Sequence, residues 1–258
     1  MPQGRPLALV TGASSGIGFE LARLFADDGY DLIVAADDDG IHAAADKLAA
    51  GGTDVRAVQV DLRKPDEVER LYSNATDSGR PLDAVALNAG TGGAGPFVER
   101  KLDEDLNIVD LNVRSTTHLA KLVLRNMAKR GSGKVLFTSS VVSTMPGSLQ
   151  TVYNASKSFV QSFAQALQDE LRDTDITVTS LMPGPTETNF FKRAGMLDTL
   201  VGRMPKDDAG KVAKQGYDAL MRADKKVVAA SPLSKSMGLV NKVLPDSVKA
   251  GASRLISK

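Results

Sequence analysis

The chain has 258 residues, 42% of them hydrophobic, and a formal net charge of +1. That length suits one α/β domain or two small ones, and the balanced charge gives no reason to expect nucleic acid or a strongly acidic partner. Cysteine is absent, which excludes disulfides, thiolate catalysis and cysteine–zinc sites. His42 and His118 lie far apart and belong to no metal-ligand pattern, so helix-surface or packing roles are expected, and no metal.

The stretch from Met1 to Pro6 lacks the apolar run of a signal peptide, and no segment approaches the ~20 apolar residues that span a bilayer. A cytoplasmic protein is the expectation. Short apolar runs follow at 7–10, 32–35, 55–60, 84–87, 134–138, 176–181 and 227–230. They are continuous rather than alternating, as in strands buried on both faces of a parallel sheet. Helical patterns lie between them at 18–27, 41–50, 66–78, 104–129, 152–172 and 209–222. Repeated β-then-α units predict a doubly wound α/β fold, about seven parallel strands with helices on both faces. One domain over 1–258 is expected.

After the first run come Thr11, Gly12, Ala13, Ser14, Ser15, Gly16, Ile17 and Gly18. Glycines let the backbone turn tightly and approach a ligand. A helix starting here points its free N–H groups at the turn, which suits a pyrophosphate, and Ser14 and Ser15 add hydroxyl donors. The second run ends at Asp37, about 20 residues on, where a carboxylate can accept both ribose hydroxyls and repel a 2′-phosphate. No arginine stands at 37 or 38, and no basic residue directly precedes Gly16. Both absences argue for NAD, with NADP the alternative. Asp38 and Asp39 read as helix-start residues.

Tyr153 and Lys157 are four apart, a spacing that stacks them on one helix face. A phenol titrates near pH ~10, and a neighbouring ammonium favours the phenolate. A shift into the neutral range needs roughly 4 kcal/mol, more than one partly solvated lysine supplies. An oxidised nicotinamide ring is the expected second cation. Taken alone, the pair also fits an ordinary surface helix.

These motifs in this order resemble the short-chain dehydrogenase/reductase family, Rossmann-type in fold, over nearly the whole chain from about Pro6 to about Ala230. The resemblance implies residue roles. Asp61, followed by Leu62, matches the aspartate that meets the adenine amino group. Asn88, Ala89 and Gly90 match the turn that steadies the sheet beside the cofactor, although Leu87 stands where a second asparagine is usual. Asn112 matches the helix asparagine that holds a water in the proton relay. Ser140 matches the catalytic serine that orients the substrate oxygen; Tyr153 exchanges its proton, and Lys157 assists and holds the nicotinamide ribose. After Pro183 and Gly184, Thr186 and Thr188 match residues that bond the nicotinamide carboxamide.

The resemblance implies an oxidoreductase moving a hydride between NAD(H) and a secondary alcohol or ketone. The alternatives are an NADP(H) carbonyl reductase and a non-catalytic dinucleotide sensor or scaffold. The Pro- and Gly-bearing stretch 183–205 reads as a lid, centred on about 185–205. Candidate substrate walls are 91–97, 141–149 and 189–200. Phe97, Met145, Leu149, Phe190, Phe191 and Met196 make them apolar. Relatives commonly form homodimers or homotetramers through helices equivalent to 104–129 and 152–172. The basic, apolar-interleaved segment 231–258 reads as a packed terminal helix or oligomer contact rather than a membrane-surface tail, and Pro245 would break a single helix through it.

Overall fold

The apolar runs become strands β1 (Leu7–Thr11), β2 (Asp31–Ala36), β3 (Val55–Gln59), β4 (Ala84–Leu87), β5 (Ser132–Thr138), β6 (Asp175–Pro183) and β7 (Lys226–Ala229) in a computed structural model that describes residues 4–229. They pair in parallel as one sheet, in the order β3-β2-β1-β4-β5-β6-β7. The order reverses beside β1, whose neighbours are β2 and β4. At such a switch point the crossovers leave the two sides of the sheet in opposite directions, and a crevice opens at the carboxyl ends of the strands.

Helices α1 (Gly16–Asp27), α2 (Gly40–Ala49), α3 (Pro65–Thr76), α4 (Leu102–Val109), α5 (Thr116–Arg130), α6 (Thr151–Glu170), α7 (Phe190–Arg193), α8 (Leu200–Arg203) and α9 (Ala209–Met221) connect them. The predicted helix at 104–129 differs. It is divided by a π-helical turn, Asp110–Ser115, where Ser115 Oγ donates to the Leu111 carbonyl at 2.6 Å. A π turn inserts an extra residue and re-aims its side chains. Here it carries Asn112.

Strand alternation divides the core in two. Leu7 and Leu9 of β1 face Leu71, Leu119, Val123, Met127 and Val160 from α3, α5 and α6. Ala8 and Val10 face Leu21, Phe25, Ile41, Val212 and Leu220 from α1, α2 and α9. Phe25 is fully buried and meets the rings of Tyr30 and Tyr217 edge-on at 5.2 and 5.0 Å. Truncating such a ring costs about 3–5 kcal/mol. These two layers hold the strand ends, and so the crevice, in place. No helix among the described residues is long and apolar enough to cross a membrane. The predicted terminal segment 231–258 lies outside the described residues.

Candidate active site

A cleft of about 740 Å³ opens at the strand carboxyl ends. At its phosphate end lie Gly12, Ser15, Gly16, Ile17 and Gly18; a Cβ on Gly18 would collide with the Gly12 carbonyl oxygen. Ser15 is the N-cap of α1 but makes no side-chain cap. The first N–H groups of the helix are therefore left for a ligand, and a phosphate fits them. Ser14 does not line the cleft; its hydroxyl donates to Asp38 Oδ2 at 2.8 Å.

Asp37, Asp61 and Leu62 line the next wall. Asp61 accepts Arg63 Nε at 2.7 Å and Nη2 at 3.1 Å. Burial works to raise its pKa, but the Arg63 hydrogen bonds outweigh it and hold the carboxyl below its ordinary value. Arg63 Nη2 also lies 3.6 Å from Asp37 Oδ2, and Arg193 reaches Asp38 at 2.9 Å. Two arginines thus line a corner where the sequence offers none next to Asp37. Arg63 follows Asp61 by two residues and was legible as a neighbour. Arg193 comes from the lid, 155 positions away from Asp38, and no local pattern signals it.

Asn88 ties three strand ends together. Its Nδ2 donates to the Thr11 carbonyl at 3.1 Å, and its Oδ1 accepts Thr138 Oγ1 at 3.1 Å. The Asn88 and Ala89 N–H groups both donate to Thr11 Oγ1 at 3.0 Å. Asn88, Ala89 and Gly90 thereby form the floor of the cleft, with Pro183, Gly184, Thr186 and Thr188 along its β6 side.

Ser140, Tyr153 and Lys157 meet in the cleft and are all buried. Burial pushes the Tyr153 phenol up to about 12, against an opposing hydrogen bond from Ser140. Burial also lowers the Lys157 ammonium to about 8. Lys157 Nζ donates to the Thr138 carbonyl at 2.9 Å. The expected lowering of the tyrosine by Lys157 is therefore not met in this arrangement. The desolvation that raises the phenol also disfavours the ammonium, and Ser140 supplies the compensating interaction. Asn112 stands outside the cleft lining. Its side chain accepts the Thr91 N–H at 2.9 Å and donates to the Thr91 carbonyl and Ser156 Oγ at 2.8 and 2.9 Å. It splints the loop after β4.

On the substrate side, Met145, Phe190, Phe191 and Met196 line the cleft. Phe97 and Leu149, also predicted there, do not. Phe97 is 57% exposed beside a separate small crevice. Leu149 adopts φ +65°, and its carbonyl accepts the Gly95 N–H at 2.8 Å, a backbone tie rather than a wall. Gly92, within the expected wall 91–97, makes room for the lid: a Cβ there would lie 2.5 Å from Phe190 Cζ. Phe191, Ala194 and Met196 form a small core of the lid, packed with Ala94, Phe190 and Val201.

The sequence profile of the short chain dehydrogenase family matches residues 6–196. A short chain dehydrogenase of Pseudocercospora fijiensis is 33% identical over 186 residues, 71% of this chain and 60% of that protein, so the match spans under two thirds of the relative's length. Among solved structures, a short-chain dehydrogenase from Sphingobium yanoikuyae in complex with NADPH has a TM-score of 0.81 at 28% identity, covering 93% of this chain and 96% of that one. A short chain dehydrogenase/reductase from Burkholderia phymatum in complex with NAD shares the fold with a TM-score of 0.82 at 22% identity, covering 93% and 94%.

Proposed function

The chain belongs to the short-chain dehydrogenase family, and on that premise we propose that it moves a hydride between NAD(H) and the secondary alcohol or ketone of an apolar small molecule. The observation that carries this reading is the convergence of Ser140, Tyr153 and Lys157 on the cleft that begins at the uncapped end of α1. The uncapped helix and the glycine turn would hold the pyrophosphate, Asp37 the ribose, Asp61 the adenine amino group, and Pro183, Gly184, Thr186 and Thr188 the nicotinamide end.

The bound nicotinamide supplies the hydride chemistry. The chain's residues handle the proton. Ser140 hydrogen-bonds the substrate oxygen, and Tyr153 gives that oxygen a proton in reduction or takes one in oxidation. Buried without help, the phenol stays protonated at neutral pH, since burial pushes its pKa up to about 12. Alcohol oxidation therefore needs added positive charge at the site, which an oxidised nicotinamide would bring, while Lys157 would hold the nicotinamide ribose. Asn112 acts by fixing Thr91; any share in a proton relay falls to its main chain.

The ribose corner favours NAD. Asp37 lines it directly after β2, where a carboxylate accepts the ribose hydroxyls and opposes a 2′-phosphate. A second reading, NADP(H) use, draws on Arg63 and Arg193, which could turn from their carboxylates to a phosphate. The apolar wall of Met145, Phe190, Phe191 and Met196 supports an apolar substrate. Self-association is proposed through α4, where Leu102, Leu106 and Val109 recur at helical spacing and stay 69%, 47% and 37% exposed.

The test offers purified protein NADH or NADPH with a panel of apolar ketones. Faster oxidation of NADH supports the reading, and tighter NADPH binding overturns the Asp37 argument. Cofactor binding without turnover on a broad panel would return the chain to a sensor or scaffold.

A further inference from the structure

Asp38 is held at three points that belong to three parts of the fold. Its Oδ1 accepts the Gly40 N–H at 3.0 Å, at the start of α2. Its Oδ2 accepts Ser14 Oγ at 2.8 Å, from the phosphate turn, and Arg193 Nη2 at 2.9 Å, from the lid. The first two contacts fix the carboxylate to the body of the domain. The third fastens the lid to it.

Arg193 closes the four-residue helix α7, and Thr188, Asn189, Phe190, Phe191 and Arg193 line the cleft. Thr188 packs on Gly16, where a Cβ would come within 2.7 Å of its methyl group. Phe190 packs on Tyr153 with ring centroids 5.3 Å apart. Arg193 then reaches Asp38 beyond the ribose corner. Arg193 belongs to the cleft lining and Asp38 and Ser14 do not, so the ion pair runs along the rim. The pair thereby joins the lid to the rim beside the phosphate turn and Asp37.

We propose that Arg193 and Asp38 form a clasp that retains the nicotinamide dinucleotide by tying the lid to the rim of its site. The proposal rests on the nucleotide-binding reading above and assigns these two residues to retention of the cofactor, not to the chemistry. Side chains 51% and 38% exposed make a pair that water can break, which suits a contact opened at every turnover. The same exposure bounds its effect. Loss of an exposed pair corresponds to about a two- to fivefold change in rate.

The test follows displacement of bound NADH, and separately of NADPH, by excess oxidised cofactor, read from the nicotinamide fluorescence. Arg193→Ala and Asp38→Asn are compared with the parent and with the double variant. Asparagine keeps an acceptor for the Gly40 N–H and an amide that the Ser14 hydroxyl can accept from, while removing the charge. Each single variant should release cofactor about two- to fivefold faster, and the double no faster than either alone. Salt should speed release from the parent and leave the variants little changed. Restored retention in the swapped Arg193→Asp, Asp38→Arg pair would add support. Unchanged release in Arg193→Ala, or faster release in Arg193→Ala but not in Asp38→Asn, overturns the clasp; the latter would mean that Arg193 meets the cofactor itself. Failure of the parent to bind either nucleotide overturns the nucleotide reading and the clasp with it.

Discussion

The ring of Phe190 lies 5.3 Å from the ring of Tyr153, tilted by 46°, in space that the missing side chain of Gly92 leaves open. The lid thus places an aromatic face directly beside the residue that handles the proton. Phe190→Ala should enlarge that space. The ratio of kcat/KM for a bulky ketone to that for a small one should rise about tenfold or more. Steady-state rates on a matched pair of ketones check this. An unchanged ratio would mean that substrate does not meet the lid there.

Lys157 gives a prediction about stability. Below about pH 8 it is protonated in the folded and unfolded chain alike, and folding must bury an ammonium. Between about 8 and its ordinary 10.5, the unfolded chain keeps a proton that the folded chain has released. Stability then rises with pH across that window. Tyr153 acts oppositely and later, losing stability as pH climbs from 10 to about 12. The cofactor-free Lys157→Met variant should therefore be more stable than the parent at pH 7, by at most about 3 kcal/mol. The gap in Tm should narrow from pH 8 to pH 10. A variant less stable than the parent at pH 7 would contradict the buried-ammonium account.

Asn112 predicts a structural cost. Asn112→Ala would leave the part-buried N–H and carbonyl of Thr91 and the buried Ser156 hydroxyl without their Asn112 partner. The expected loss is about 1–3 kcal/mol, read by denaturant unfolding. Activity should fall as well, because Thr91 borders the cleft. A loss under about 0.5 kcal/mol would show that water replaces the amide readily.

Asp37→Ala should weaken NADH binding about tenfold, the scale of a lost charge-assisted hydrogen bond. NADPH binding should change in the opposite direction. Titrations monitored by nicotinamide fluorescence measure both. Parallel weakening of the two cofactors would remove Asp37 from discrimination.

Much of this molecule was legible in local pattern. Continuous apolar runs such as 84–87 marked strands buried on both faces, and Ala84–Leu87 is β4. The glycine turn, Ser140 and the Tyr153–Lys157 spacing pointed to positions that the fold brings to one cleft. What escaped depends on contacts distant in sequence. The π turn at Asp110–Ser115 arises where Asn112 reaches Thr91 and Ser156, and helix periodicity carries no sign of either partner. Arg193 meets Asp38 only because the lid folds back across the sheet end. Phe97 looked like a pocket wall by composition, yet its direction was set by the loop around Pro96, which leaves it exposed. The sense of the tyrosine shift was also hidden, since burial of both groups is a property of the packed site.

The central claim is that Tyr153 exchanges the proton while a nicotinamide exchanges the hydride. The most direct measurement compares the parent with Tyr153→Phe for ketone-dependent NADH oxidation, with NADH binding measured on the same samples. The account predicts that Tyr153→Phe still binds NADH while its turnover falls by about 10²–10⁴-fold. Full turnover in Tyr153→Phe would contradict it.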